Sequence, residues 1–325
     1  MNLRWGEEMS NQPLWLWIDP TNDCGLKCHF CYTKRSHGSA HLSPTILRRY
    51  LEILLNAPGI SIQKLNFNWR GDPLMNPDFL SLLQEIEDRN LTFPIEFHTN
   101  GTTIDEKMAD DLASVARRVL IFVSVDGGNE ASHDFNRGEG TYRKALHGLD
   151  LLLRARGERA RPFIGLFQLD LGVPHERYDP EFIRLAETVD EWVRINPIHP
   201  MSGRRIHVRV PAALVPAPSE PDRLITVAPT DRWWAREVPQ DARQPQRPCF
   251  WAGNALFIAP GGDVSVCLLS HTRDGILGNL LTTSLAEILD NASRWRSEIS
   301  RVGRTAIPHC AKCRVFEGEP RPQIP

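Results

Sequence analysis

Residues 14–31 read Leu14-Trp15-Leu16-Trp17-Ile18-Asp19-Pro20-Thr21-Asn22-Asp23-Cys24-Gly25-Leu26-Lys27-Cys28-His29-Phe30-Cys31. The apolar run at the head of this stretch has the length and composition of a buried strand, and the loop behind it carries three cysteines spaced Cys-x3-Cys-x2-Cys. A strand that runs directly into such a loop sets the thiols at its C-terminal end, where parallel α/β sheets build their sites. Working outward, strand-like runs alternate with stretches of helical period. Strands are expected at Leu14 to Ile18, Ile62 to Asn68, Pro94 to His98, Val119 to Val125, Phe163 to Leu169 and Trp192 to Asn196. Helices are expected at Ser43 to Asn56, Pro77 to Arg89, Asp105 to Ala116, Thr141 to Arg156 and Asp179 to Val189, each opened by Ser, Thr, Asp or Pro. Repeated strand–helix units imply a parallel sheet with right-handed crossovers, and six of them can curl into an incomplete barrel, open on one side.

The pattern fails after Pro197, and Pro211 to Pro248 is proline-rich with little periodicity. Order returns as two short apolar runs, Ala255 to Ile258 and Val264 to Leu268, around Pro260-Gly261-Gly262-Asp263, which reads as a hairpin; a helix is expected from Ser284 to Ile299. The fold class is therefore α/β, a partial (β/α)6 TIM-like barrel with a small C-terminal hairpin-plus-helix domain. Residues 1–200 form the barrel, 201–248 an irregular linker and 249–325 the appended domain.

The chain has 325 residues and a formal net charge of −2, with no sign of a polyanion-binding surface, so nucleic acid is not expected as a partner. No run approaches the ~18 apolar residues of a membrane span, and the N-terminal residues do not read as a signal peptide. A cytoplasmic location is expected. Seven cysteines are clustered, Cys24, Cys28 and Cys31 near the start and Cys249, Cys267, Cys310 and Cys313 in the last third. Disulfides are rare in a reducing compartment, and such clusters read as metal or redox ligands. On residue chemistry alone a zinc site remains open for each group: the first with His29 or His37 as fourth ligand, the second as a zinc ribbon.

The Cys-x3-Cys-x2-Cys motif resembles that of the radical S-adenosylmethionine (SAM) superfamily. There three cysteines hold a four-iron cluster whose fourth iron is open to SAM. The resemblance extends along the chain. Phe30 stands where the family places an aromatic residue against cluster and adenine. Trp69-Arg70-Gly71-Asp72-Pro73 resembles the Gly-Gly-Glu-Pro motif that binds the SAM ammonium group through backbone carbonyls, with Arg for the first Gly and Asp for Glu. His98-Thr99-Asn100-Gly101 and Ser124-Val125-Asp126-Gly127 end the third and fourth expected strands as in relatives with auxiliary clusters, so Thr99, Asn100, Ser124 and Asp126 are expected to face the cofactor. By the same resemblance Ser124 and Arg137, the latter in His133-Asp134-Phe135-Asn136-Arg137-Gly138, contact the SAM carboxylate.

At the C-terminal end, Cys249, Gly262-x4-Cys267, Gly278-Asn279-Leu280 ahead of a helix, and the Cys310–Cys313 pair resemble the twitch form of the SPASM domain. The resemblance implies one auxiliary 4Fe-4S cluster on those four cysteines, and two clusters in all. It also implies SAM cleavage to a 5′-deoxyadenosyl radical and an external electron donor such as flavodoxin or ferredoxin. No N-terminal leader-binding domain is expected, and relatives of this size act on aminocyclitols and sugars. A small polyhydroxylated substrate is thus expected, held by Glu96, Arg194, Asn196 and His199 at the open end of the barrel.

With all seven cysteines assigned, no thiol is left as hydrogen donor. The expected reaction is oxidation of an alcohol carbon to a ketone, with the auxiliary cluster as electron acceptor. The alternatives are epimerisation with a Cys or Tyr donor, a peptide or protein maturase, and a zinc-binding interaction protein on a degenerate barrel.

Overall fold

The computed structural model describes residues 13–28, 31, 39–58, 60–169, 173–195, 252, 254–267, 275–303, 307 and 310. The expected alternation is present in order: β1 (Pro13–Ile18), α1 (Pro44–Leu55), β2 (Ser61–Asn66), α2 (Phe79–Glu87), β3 (Ile95–Thr99), α3 (Glu106–Val115), β4 (Leu120–Ser124), α4 (Glu130–Arg137), α5 (Thr141–Arg156), β5 (Phe163–Leu169), α6 (Pro180–Thr188) and β6 (Glu191–Ile195). Then come β7 (Ala255–Ile258), β8 (Asp263–Ser265), β9 (Ile276–Asn279) and α7 (Leu285–Val302). Hydrogen-bonded neighbours give the strand order β6-β5-β4-β3-β2-β1-β7-β8-β9. This is the α/β fold of the partial barrel, an open parallel sheet extended by C-terminal strands.

The chain divides into two units, and it passes from one to the other within β3. The first draws on Met1–Asp23, Arg35–Glu96 and Asp241–Glu317, the second on Cys24–Lys34, Phe97–Gln240 and Gly318–Pro325.

In the first unit β1 pairs in parallel with β2 on one side and β7 on the other. The hairpin expected as part of an appendage therefore continues the sheet, and β7 covers backbone groups of β1 that an edge strand would leave unpaired. The register sets Trp15 beside Lys64 and Ala255, Trp17 beside Asn66 and Phe257, and Asn66 beside Glu96. Laterally paired residues share a face, so these line one side of the sheet. The apolar residues that alternate with them, Leu16, Ile18, Leu65 and Leu256, are buried on the other.

Helix α1 starts where Ser43 accepts the Ile46 N–H and Pro44 fits the first turn. It buries Leu47, Tyr50, Leu51 and Leu54 at helical spacing, and the Tyr50 hydroxyl donates to Pro260 O at 3.0 Å. In the hairpin turn Gly262 has φ +94°, and a Cβ there would lie 2.5 Å from Asn279 Oδ1. Asn279 Nδ2 donates to Gly261 O and Asp263 Oδ1, so the Gly278-Asn279-Leu280 motif ties β9 to the turn. Ser284 accepts the Glu287 N–H and caps α7.

In the second unit β4 pairs in parallel with β5, and β5 with β6. Helix α3 is capped by Asp105, and α5 buries Tyr142, Ala145, Leu146, Leu149 and Leu152. Gly148 lets α5 pack against the turn after β3, where a Cβ would sit 2.3 Å from Gly101 O. Helix α4 was not among the expected elements. Its buried residues are Ser132, His133 and Asn136, so it lacks the apolar stripe that marks a helix in sequence. Asn129 caps it by accepting the Ser132 N–H, and Gly138, at φ +126°, ends it.

Of the expected segments, Asn196, Leu268 and the linker 201–248 lie outside the described residues. Among the described residues no helix is long and apolar enough to cross a membrane.

Candidate active site

The site residues fall into two groups, one in each unit. In the first unit the chain leaving β1 carries Asp19, fully buried, which accepts from Arg70 N at 3.2 Å and Arg70 Nε at 2.7 Å. Burial pushes the Asp19 carboxyl up to about 6, against the lowering pull of the Arg70 charge and the hydrogen bonds from Arg70 and the Gly71 backbone. Arg70 Cζ lies 4.6 Å from the centre of the Trp69 ring. Trp69 in turn lies 5.4 Å from Phe257, which stacks on Trp17 at 4.9 Å.

Gly71 has a steric reason to be glycine: a Cβ would lie 2.3 Å from Asp23 O and 2.4 Å from Thr21 O. Asp72 N donates to Asp23 O at 2.8 Å. The Trp69–Pro73 segment thus packs backbone to backbone on the segment leading to the first cysteine. The Asp72 carboxylate accepts the Leu74 N–H and caps the 3-10 turn Pro73–Met75. Asn76, which sequence reading passed over, donates through Nδ2 to Pro20 O and Leu42 O at 2.8 and 2.9 Å and locks the loop after β1. No local pattern flags it, because both acceptors are backbone groups remote in sequence.

In the second unit Cys24 and Cys28 are half-buried, Cys31 is exposed, and none of the three is in a disulfide. Cys24 Sγ accepts from Leu26 N at 3.5 Å and Asn100 Nδ2 at 3.9 Å, and Cys31 N donates to Cys28 O. Burial raises the Cys28 thiol to about 11; the Arg137 charge pulls it down, and Asp126, Cys31 and Cys24 push it further up. Arg137 is joined to Asp126 through Nε at 2.5 Å and Nη2 at 3.2 Å, and Asp126 Oδ1 also accepts the Leu169 N–H at 3.1 Å. Burial alone would lower the Arg137 pKa, but the Asp126 carboxylate and the Cys28 and Cys24 thiols hold it above its ordinary value.

His133 Nδ1 accepts the Asp126 N–H at 3.0 Å, and burial together with Arg137 lowers this imidazole to about 4, keeping it neutral. His133 thereby fastens α4 to the end of β4. Ser124 is buried at the end of β4, opposite Phe167.

Among the proposed substrate contacts, Glu96 is buried and ion-paired with Lys64 Nζ at 2.5 Å. The side chain of Arg194, together with Asn196, His199 and Phe30, lies outside the described residues. Cys267 follows β8 and Cys310 follows α7, both half-buried and in no disulfide, whereas Cys249 and Cys313 lie outside the described residues.

The donor chemistry fits an iron–sulfur cluster. Soft thiolates are its usual ligands, and Arg137 places buried positive charge next to two of them. Among the described residues no three His, Cys, Asp or Glu side chains converge as one ion would require.

Fold and thiol-bearing loop together define a class of enzyme, and comparison with known proteins agrees. Residues 18–181, about half of the chain, match the family model described as "Radical SAM superfamily", and the chain belongs to that superfamily. Residues 249–314 match the SPASM model, an iron–sulfur cluster-binding domain. Membership implies SAM and a 4Fe-4S cluster, and the C-terminal match implies auxiliary iron–sulfur binding.

Among curated proteins the chain is similar to the mycofactocin maturase MftC of Mycobacterium ulcerans, 26% identical over 192 residues that cover 59% of this chain and 49% of that protein. It also resembles the tungsten-containing aldehyde ferredoxin oxidoreductase cofactor-modifying protein of Pyrococcus furiosus, 26% identical over 113 residues, 34% of this chain and 30% of that protein. The matches thus span less than half the length of these relatives.

Among solved structures, anSMEcpe with bound AdoMet aligns with TM-score 0.59 at 18% identity, covering 94% of this chain and 85% of that one. BtrN in complex with AdoMet and 2-DOIA aligns with TM-score 0.51 at 12% identity, covering 93% and 92%. At these identities the likeness is one of fold.

Proposed function

We propose that this protein is a radical SAM oxidoreductase that converts an alcohol carbon of a small polyhydroxylated metabolite, an aminocyclitol or a sugar, to a ketone. Bound SAM and the two clusters supply hydrogen-atom abstraction from an unactivated carbon and removal of the second electron. The observation that carries the reading is the cysteine inventory: three ligands at the strand end and four at the C-terminal end account for all seven, so no thiol is left to quench a substrate radical. The hydroxyl proton then leaves as the carbon–oxygen double bond forms, and the chain's task is to aim one C–H and exclude water.

In this reading Cys24, Cys28 and Cys31 hold the SAM-binding cluster, and Cys249, Cys267, Cys310 and Cys313 the auxiliary one. The backbone of Trp69–Pro73, kept close to residues 21–23 by Gly71, binds the SAM ammonium group; Phe30 lies against adenine. Thr99, Asn100, Ser124 and Asp126 contribute from the strand ends. Arg137 is offered to the SAM carboxylate with the plane of its guanidinium fixed by Asp126. Glu96, Arg194, Asn196 and His199 are the proposed substrate contacts, Glu96 acting together with Lys64. An external flavodoxin or ferredoxin supplies the electron. The reading draws support from BtrN, whose structure was solved with 2-DOIA.

A second reading, a peptide maturase, is favoured by similarity to the mycofactocin maturase and to anSMEcpe, which was also solved with a Cp18Cys peptide.

Anaerobic reconstitution followed by iron and sulfide quantification tests the cluster assignments. About eight irons in the wild type, falling to about four in a C24A/C28A/C31A variant with zinc negligible, is the expected result. About four irons falling to none would leave the C-terminal cysteines without a cluster and turn the reading to epimerisation. Substrate class is read by incubation with aminocyclitols deuterated at the alcohol carbon, where label in 5′-deoxyadenosine and a ketone product are expected. Label transfer only from peptides would select the maturase.

A further inference from the structure

The thiol of Cys24 is the end point of a hydrogen-bond chain that runs through Asn100 from Thr102. Asn100 Oδ1 accepts from Thr102 N at 2.9 Å and from Thr102 Oγ1 at 2.6 Å. The backbone N–H can only donate, which orients the amide: flipped, it would set its NH2 group against that donor and its oxygen against sulfur lone pairs. The Nδ2 group is therefore directed at Cys24 Sγ, 3.9 Å away, where the Leu26 N–H also points at 3.5 Å. Asn100 is buried, and Gly101, at φ +74° with its N–H bonded to Thr99 Oγ1, holds the turn in which the amide sits. A hydrogen bond in such surroundings is stronger than one in water.

The Arg137 guanidinium, ion-paired with the Asp126 carboxylate, also acts on these thiols through its charge.

We infer that Asn100 is a positioning residue for the SAM-binding cluster, donating an N–H···S hydrogen bond to Cys24 that raises the cluster's reduction potential, with Thr102 holding the amide in the donating orientation. A reduced cluster carries more electron density on its sulfurs, so a donor aimed at a ligand sulfur stabilises the reduced form more than the oxidised one. Asn100 thereby eases electron entry from a weak external reductant. The inference rests on Cys24 being a cluster ligand and is independent of the substrate.

The test is a reductive titration of the reconstituted full chain followed by electron paramagnetic resonance, reading the signal that disappears in the C24A/C28A/C31A variant. Asn100→Leu removes the donor at similar size, and the reduced fraction at a fixed solution potential is expected to fall about threefold. Asn100→Asp keeps the acceptor that Thr102 binds but sets an oxygen against the sulfur; the reduced-to-oxidised ratio is expected to fall about tenfold, which for a one-electron couple is about 59 mV. Thr102→Val, which loses the Oγ1 bond and keeps the backbone one, is expected to give a smaller fall in the same direction, and decides the matter if either Asn100 variant fails to assemble its cluster. Iron content is measured on each. Wild-type potentials in variants with full iron would overturn the inference while leaving the ligand assignment intact. An iron content unchanged in the triple cysteine variant would overturn the ligand assignment, and the inference with it.

Discussion

Each unit buries one aspartate at the end of a strand and gives it an arginine, and the two pairs behave differently. Asp126, after β4, meets two prongs of the Arg137 fork together with the Leu169 N–H, and Arg137 is itself enclosed beside two thiols. Asp19, after β1, takes the Nε of Arg70 along with backbone N–H groups, while Arg70 spreads over the Trp69 face and keeps part of its surface in solvent. For Asp19 burial outweighs the partner and the carboxyl rises to about 6. What distinguishes the two buried pairs is therefore the geometry of the donors and the desolvation of the arginine, which the mere pairing of Asp with Arg does not specify.

The largest effect is expected on breaking the locked pair. Arg137→Ala leaves the Asp126 carboxylate buried without its cation and should cost about 3–5 kcal/mol of stability, measured by urea denaturation of the cluster-free protein. A loss as small as that of an exposed pair would mean that water reaches Asp126.

Next in size is a pH effect at Asp19. Its folded pKa lies above the ordinary carboxylate value, so the folded state binds the proton more tightly, and this group's contribution to stability falls as pH rises from about 4 to about 6 and stays lost above. Asp19→Asn should flatten that part of the stability profile by up to about 3 kcal/mol between pH 4 and pH 7. Urea midpoints taken across the window check it, and parallel profiles for variant and wild type would count against a raised Asp19.

Gly71→Ala should cost about 2 kcal/mol, because its Cβ meets carbonyl oxygens of the main chain that cannot swing away. It should also weaken SAM binding in equilibrium dialysis if the Trp69–Pro73 backbone contacts the cofactor.

The smallest effect is expected for Arg70→Ala at pH 7, about 1–2 kcal/mol, since the Asp19 carboxyl can take up a proton instead of remaining an unpaired charge. Thermal melts at pH 5 should show a smaller loss than at pH 7, and a loss as large as that of Arg137→Ala would erase the contrast between the pairs.

Much of this was legible in the chain itself. The strands around Leu14 to Ile18 and Phe163 to Leu169 and the helix at Thr141 to Arg156 stand within a residue of their expected bounds. Their apolar spacing is a local signal that the core then uses directly. The cysteine spacing was legible as a local pattern, and Gly262 as part of a hairpin turn, whereas Gly71 was legible only through the motif it resembles, and its close approach to Thr21 O and Asp23 O shows only in the fold. Helix α4 was not legible, because the face it buries is made of Ser132, His133 and Asn136 and its stabilising partners are the end of β4 and the Asn129 cap.

The sequence alone determined the α/β alternation, the two groups of cysteines and the order of strand-end motifs, all of which depend on residues near one another in the chain. The tertiary structure decided the rest. It set β7 beside β1, committed Glu96 to Lys64, gave Asp19 and Asp126 their arginines and turned the Asn100 amide toward Cys24. Each of these is a choice of partner across tens of residues or more. Burial energy, hydrogen-bond geometry and charge settle such a choice only when the chain is folded, and no periodicity in the sequence records it.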